Sequence, residues 1–383
     1  MAKPVYLFVI NSFGAGGAER SLVELLPRLE AKGIAPVIAC LEAQQVGFEQ
    51  EVRTAGHDMR ILQGSGIPSK IRALRAMLKD LRPALVYTSL FDADITGRLA
   101  SIGIDVPVMS LLANTAYDPA RLADPSVKAN RLKVVKSVDG FTARHLTDHF
   151  HAVSQAVKDS TVETLRVDPD RITVVYRGRD TERLGTPSDE RRLRMRQTLD
   201  LAENAEVVLT VGRQEYQKGH THLVAAFAGI AAERAEAVLL IAGREGHAST
   251  ALRAQIDSLN LSERVRLLGH RSDVPDVLAA ADLFVFPSVY EGLGGALIEA
   301  LALALPVVAS DLPALGEVVV EGENALLVPP ASPAELQSAI VDLLGDPERR
   351  RRFGIRSREL FDQRFQADAA ADQFVALLES VAR

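Results

Sequence analysis

Tryptophan is absent from this 383-residue chain and aromatic residues make up only 5% of it. Together with an acidic net charge of −6, that leaves no interleaving of basic and stacking side chains of the kind that grips nucleic acid, so no nucleic-acid partner is expected. A single cysteine, Cys40, has no partner for an intrachain disulfide and points to a reducing, cytoplasmic setting. No run reaches the roughly 18 apolar residues of a membrane span, and the short apolar stretch after Lys3 is neither long enough nor flanked correctly for a secretory leader. Internal repeats and low-complexity tracts are missing as well.

What is present is ordinary for a globular protein: 47% hydrophobic and 25% charged residues. At about 100 to 200 residues per domain, the length suggests two or three domains. Short apolar runs alternate with helical periods. Strands are expected over 5–10, 36–41, 59–62, 85–88, 106–111 and 151–153, then over 207–211, 237–242, 265–268, 283–286, 307–309 and 325–328. Such alternation implies an α/β fold with parallel sheets covered on both faces. The charge-rich stretch 181–201, with Pro187, interrupts the rhythm and reads as a linker. Residues 1–185 carry 24 Lys and Arg against 21 Asp and Glu, and the remainder 20 against 29, so the first half is the more basic.

Three strand-to-helix turns carry candidate chemistry. After the apolar run Leu283-Phe284-Val285-Phe286, the stretch Glu291-Gly292-Leu293-Gly294-Gly295 leads into a helix containing Glu299. A helix N-terminus with unpaired N–H groups suits a diphosphate, and glycines let phosphates approach the backbone. Eight residues of helix span about 12 Å, the reach from a sugar across a diphosphate to a ribose, so Glu291 and Glu299 are expected to bracket such an anion, each accepting from a diol. The second turn follows 207–211 and brings Gly212-Arg213 and Lys218-Gly219, two cations suited to a departing diphosphate. The third, Gly14-Ala15-Gly16-Gly17-Ala18-Glu19, opens a helix after the first strand. Its third glycine position falls on Glu19, so the dinucleotide fingerprint fails, although Glu42 stands where a ribose-binding acid would.

Two further features compete with bland readings. Asp92-Ala93-Asp94 has the spacing of a metal-binding pair, but at the head of a helix over 95–102 it reads better as an N-cap and first-turn acid. The basic amphipathic segment 70–82, with Lys70, Arg72, Arg75 and Lys79 around an Ile71, Leu74, Leu78 and Leu81 stripe, either faces the core or lies on an anionic membrane surface. Lys128, Arg131, Lys133 and Lys136 form a second basic helix in the same half.

The motifs Gly16-Gly17-Ala18-Glu19, Val153-Ser154, Tyr176-Arg177-Gly178-Arg179-Asp180, Gly212-Arg213 with Lys218-Gly219, Glu291 to Glu299 and Leu305-Pro306-Val307-Val308-Ala309-Ser310 occur in the order found in glycosyltransferase family 4, which the chain resembles over almost its whole length. The resemblance implies the GT-B fold, two Rossmann-like domains facing across a cleft. It implies an acceptor-binding domain at 1–185, a nucleotide-sugar domain at 186–365, and a terminal helix at 366–383 packing back on the first domain. Activity would be retaining transfer from a nucleotide diphosphate sugar to a saccharide or lipid-linked acceptor in cell-surface polysaccharide, lipopolysaccharide or glycolipid synthesis, with no cofactor and no metal. The setting would be cytoplasmic, at the inner face of an anionic membrane. By the same resemblance Arg213 and Lys218 contact the diphosphate, Glu291 the sugar and Glu299 the ribose. Backbone at Leu293, Gly294, Gly295, Gly16 and Gly17 lines phosphates and sugar.

Some positions depart from the family pattern. Asn114 stands near where many members carry a histidine, and an amide donates hydrogen bonds without titrating. His145, His149 and His151 lie later and are read as helix and strand residues without a catalytic role. Arg177 replaces the usual asparagine, and Ala304 the usual glycine. The alternatives are a nucleotide-sugar 2-epimerase of the same fold and a non-catalytic sugar-nucleotide-binding protein.

Overall fold

Val5–Ile10 (β1) is buried almost throughout, as a strand covered on both faces must be, and it pairs in parallel with neighbours on both sides. The computed structural model describes residues 3–14, 16–44 and 47–382, so Ala15 of the glycine turn lies outside the described residues. Contacts divide the chain into two compact units. One comprises Met1–Tyr117, Lys128–Asp180 and Gln366–Arg383; the other comprises Asp118–Val127 and Thr181–Phe365.

The first unit is a seven-stranded parallel sheet. Its strands are β1, β2 (Ala35–Cys40), β3 (Asp58–Ile61), β4 (Leu85–Ser89), β5 (Val108–Leu112), β6 (His149–Ala152) and β7 (Ile172–Val174). The order is β3-β2-β1-β4-β5-β6-β7, so the winding direction reverses between β1 and β4. Helices α1 (Gly17–Ala31), α2 (Glu49–Thr54), α3 (Gly66–Leu81), α4 (Phe91–Ala100), α5 (Ala129–Leu146) and α6 (Gln155–Leu165) connect the strands. Leu7 and Val9 meet Leu74, Leu78 and Ala93 in one core layer. The alternate residue Phe8 points the other way, toward Tyr87, whose ring in turn meets Phe374.

The Leu74 and Leu78 stripe of α3 therefore faces the core, with Ile71 and Leu81 packed partly buried beside it. Two of its cations are spent on carbonyls: Lys70 Nζ donates to Leu62 O at 2.6 Å, and Arg75 Nη1 to Ala100 O at 2.9 Å. The strand β7 was not expected; three residues are too few to carry an alternation. Nor is Asp92 a cap. α4 begins at Phe91 with Leu90 at the N-cap position, which moves the helix several residues upstream of its expected start.

The second unit holds a six-stranded parallel sheet in the order β10-β9-β8-β11-β12-β13. The strands are β8 (Glu206–Val211), β9 (Ala237–Ala242), β10 (Val265–Gly269), β11 (Leu283–Phe286), β12 (Val307–Ser310) and β13 (Ala325–Val328). Its helices are α7 (Thr181–Leu184), α8 (Asp189–Thr198), α9 (His220–Glu233), α10 (Ser249–Ser258), α11 (Val274–Ala279), α12 (Gly295–Ala302), α13 (Pro313–Gly316), α14 (Pro333–Gly345) and α15 (Pro347–Arg364). Phe227, Ile230, Leu239, Ile241 and Ile340 are fully buried in one core cluster. After α15 the chain returns to the first unit as α16 (Ala367–Val381), which packs on α1.

The stretch 181–201 is not an extended linker, because it folds into α7 and α8. Ser188 caps α8 by accepting from Arg191 N, Arg191 Nε reaches Asp276 Oδ1 at 2.6 Å, and Arg192 Nη2 reaches Asp282 Oδ1 at 2.6 Å. A charge-rich helix with few apolar anchors looks solvated until the acids that receive it, some 85–90 positions away, are folded against it.

Candidate active site

In the second unit the strand order reverses between β8 and β11, the place where open parallel sheets receive ligands at their carboxyl ends. The loops leaving these two strands meet there. Lys218 Nζ donates to Glu291 Oε2 at 2.6 Å, and Ser288 Oγ donates to the same oxygen at 3.3 Å. Gly292 N lies 3.3 Å from Glu291 Oε1, and the Lys218 ammonium stands 5.1 Å from the Phe286 ring centroid. The loops are also stitched through their backbones, since Val289 N donates to Gln217 O at 2.8 Å and Gln217 Nε2 to Tyr290 O at 3.1 Å.

Two glycines make this approach possible. A Cβ on Gly212 would lie 3.2 Å from the Lys218 side-chain stem, so the bare backbone lets the lysine cross it. Gly219 has φ +64, and a Cβ there would lie 1.9 Å from Pro287 O. Next to the pair, α12 begins with Gly294 at its N-cap and no side-chain cap, leaving first-turn amides without a capping acceptor. Leu293 is buried with only 2% exposure, so it contributes backbone, not side chain, to this turn. Arg213 is exposed and has no ion-pair partner among the described residues.

Glu291 precedes α12 and Glu299 lies inside it, so the two carboxylates are not joined by eight residues of helix. The expected straight span of a single helix is thereby corrected. Glu299 is 9% exposed and accepts from Arg183 Nη2 at 3.2 Å. Sequence reasoning missed Arg183, because its only signal was membership in a charged stretch. It also missed the segment 118–127, which belongs to this unit although it leaves from β5; there the Arg121 guanidinium lies 6.0 Å from the Tyr290 ring.

His220, the first residue of α9, is 3% exposed, and neither ring nitrogen has a hydrogen-bond partner among the described residues. Burial, with the Lys218 charge second, pushes its pKa down to about 3. A folded-state pKa below the unfolded value means stability that is present above pH about 6.5 and is lost as pH falls toward the folded pKa. His220→Leu is expected to raise stability by about 1–3 kcal/mol at neutral pH. The gain should grow by about 1.4 kcal/mol per pH unit below the imidazole range. Urea midpoints across pH check this, and a variant less stable at every pH would show that the imidazole is partnered.

The first unit carries the remaining candidates. Gly16 is the N-cap of α1 without a side-chain cap, and the Glu19 carboxylate folds back so closely that a Cβ on Gly16 would lie 2.3 Å from it. Gly17 starts the helix and is exposed. Asn114 follows β5; its Oδ1 accepts from Thr115 N at 2.8 Å, which leaves its Nδ2 as the remaining side-chain donor. His151 is committed elsewhere. Its Nδ1 accepts from Tyr87 Oη at 2.7 Å, its Nε2 donates to Val175 O at 2.9 Å, and burial pushes its pKa down to about 4.

Asp92 is exposed, whereas Asp94 is buried and accepts from Thr88 Oγ1 at 2.5 Å. The two point to different faces of α4 and do not form a chelating pair. Among the described residues no group of three or more His, Cys, Asp or Glu side chains is placed to hold a metal ion.

Known proteins share both halves of this arrangement. Residues 15–183 match the family model "Glycosyltransferase Family 4", and residues 191–360 match "Glycosyl transferases group 1". An alpha-maltose-1-phosphate synthase of Mycolicibacterium smegmatis is 31% identical over 96% of both chains. An N-acetylgalactosamine-N,N'-diacetylbacillosaminyl-diphospho-undecaprenol 4-alpha-N-acetylgalactosaminyltransferase of Campylobacter jejuni is 29% identical over 79% of both. The crystal structure of Anabaena HepE in complex with UDP-glucose superposes with a TM-score of 0.86 at 22% identity, covering 98% of this chain and 100% of that one, so the fold is GT-B. Two parallel α/β sheets, glycine turns at the reversal points and a relative matched end to end lead to one conclusion: the chain belongs to glycosyltransferase family 4 and transfers sugar from a nucleotide sugar.

Proposed function

We propose that this transfer proceeds with retention at the anomeric carbon, without a metal ion, onto a hydroxyl of a saccharide or lipid-linked acceptor at an anionic membrane surface. The observation that carries the reading is the Lys218–Glu291 pair beside the uncapped start of α12. Negative charge grows on the leaving diphosphate as the glycosidic bond breaks, and a cation with oriented N–H groups in a partly buried crevice stabilises that charge more than water does. Lys218, Arg213 and the backbone at Leu293, Gly294 and Gly295 take the diphosphate. Glu291 takes the sugar hydroxyls, and Glu299, oriented by Arg183, takes the ribose. The first unit offers its own candidates, backbone at Gly16 and Gly17 and the Asn114 Nδ2 donor.

Departure of the diphosphate leaves one of its oxygens to accept the proton of the attacking hydroxyl, so no protein nucleophile is required. The Campylobacter relative's name specifies a diphospho-undecaprenol-linked acceptor, which favours a lipid-linked acceptor here. The Campylobacter relative's name also specifies an alpha linkage, the outcome of retention from an alpha-configured donor. NMR of the earliest product, formed under saturating chelator, tests both points. The product is expected to keep the donor's configuration, with turnover within about twofold of the untreated rate. An inverted product, or a loss that Mg²⁺ or Mn²⁺ restores, would overturn the proposal.

A further inference from the structure

Helix α5 exposes an apolar stripe that the fold does not use. Val134 is 64% exposed, Val138 43% and Phe141 58%. With His145, whose ring lies 4.9 Å from that of Phe141, they fall within an arc of about 60° at 3.6 residues per turn. Arg131 borders the stripe on one side, Lys133 and Arg144 on the other, and all three are exposed. Arg131 and Lys133 have no ion-pair partner among the described residues, whereas Arg144 Nη1 donates to Leu165 O at 2.6 Å. Asp139, the only acid in the helix, points inward: its Oδ1 accepts from Arg98 Nη1 at 2.7 Å and its Oδ2 from Tyr117 Oη at 2.7 Å. The outer face is therefore apolar along its middle, and the charges along its edges are all positive, with Asn130 and Ser137 as uncharged polar neighbours.

We infer that this face of α5 docks the protein on an anionic lipid bilayer, with Phe141, Val134 and Val138 entering the headgroup boundary and Arg131 and Lys133 meeting lipid phosphates. The inference rests on the peripheral-membrane part of the proposed function and assigns it to a surface. An apolar stripe edged by cations is the composition of an interfacial helix, and each cation near an anionic surface adds attraction. Charge of one sign beside an apolar stripe complements an anionic headgroup layer, which favours lipid over a protein partner. The other basic helix, α3, lacks this face, because its Leu74 and Leu78 are in the core and none of its large apolar residues is exposed.

Flotation of the full chain with vesicles of phosphatidylcholine alone, or of equimolar phosphatidylcholine and phosphatidylglycerol, tests the assignment. Wild type is expected to float only with the anionic vesicles, and less as salt rises. V134S/V138S/F141S should lower partitioning about tenfold or more. R131Q/K133Q, at two exposed positions that do not disturb packing, should lower it about fivefold for each charge removed. R72Q/K79Q on α3 should stay within about twofold, and all variants should keep diphosphate release with a water-soluble acceptor. If wild type floats and both α5 variants float equally well, the α5 assignment fails while the membrane reading stands. If wild type does not float with anionic vesicles, both fail, and the transfer activity, read separately, is untouched. A stripe variant that instead turns a wild-type dimer into a monomer in sedimentation, with no wild-type flotation, would make the face a self-association surface and overturn the inference.

Discussion

Lys218→Ala is expected to lower turnover by about 10²–10³-fold and to weaken binding of the free nucleoside diphosphate as well, since its charge acts on the diphosphate both before and during bond cleavage. Glu291→Gln should depress turnover by about 10²-fold but leave nucleoside diphosphate affinity intact or improved. The reason is the ion pair: Lys218 Nζ and Glu291 Oε2 are 2.6 Å apart, so an incoming diphosphate competes with this carboxylate for the lysine. Taking the carboxylate's charge away removes the competitor along with the sugar contact. Glu299→Gln should do the reverse, weakening the nucleotide by about 1.5–3 kcal/mol per charged hydrogen bond lost. Calorimetry with the nucleoside diphosphate beside steady-state rates separates the three. Equal defects of all three in both measurements would show a structural cluster, not a divided clamp.

Arg98→Leu is expected to destabilise the first unit by about 3–5 kcal/mol, the cost of breaking a buried pair from one side. The Arg98 side chain is 1% exposed. Its Nη1 donates to Asp139 Oδ1 at 2.7 Å and Thr142 Oγ1 at 3.0 Å, and its Nη2 to Ser110 Oγ at 3.1 Å. Asp94, buried nearby, has its pKa raised to about 7 by desolvation, which the Arg98 charge only partly offsets. With a folded-state pKa above the unfolded value, Asp94 contributes stability that is complete below pH about 4 and is lost as pH rises through about 7. Without Arg98 that pKa rises further, so the variant's deficit should be larger at about pH 8 than at about pH 6. Denaturant midpoints at the two pH values read it, and a deficit independent of pH would dissociate Asp94 from Arg98. Tyr117, bonded to Asp139, ends the loop that carries Asn114, so surviving activity should show a weakened acceptor response before any change in donor binding.

Most strands were legible because parallel strands buried on both faces are written as short, continuous apolar runs, and Leu283–Phe286 and Ala237–Ala242 leave little else to read. The edge strand Ile172–Val174 was not, since three residues pair on one side only and carry no periodic signal. The glycine turns were legible as turns. Gly219 is required by a positive φ and by Pro287 O, a contact that no local pattern encodes.

By itself, then, the sequence determined the α/β class, the two sets of strands, the turns that precede α1, α9 and α12, and the family, because each depends on residues close together in the chain. Tertiary structure alone decided which charges are neighbours. It paired Lys218 with Glu291 across 73 positions and Arg183 with Glu299 across 116. It also turned the apolar stripe of α3 inward while leaving that of α5 outside. Strand order is what sets these partners: the reversal between β8 and β11 brings two distant loops to one crevice, and side-chain electrostatics act over a few ångströms whatever the separation along the chain.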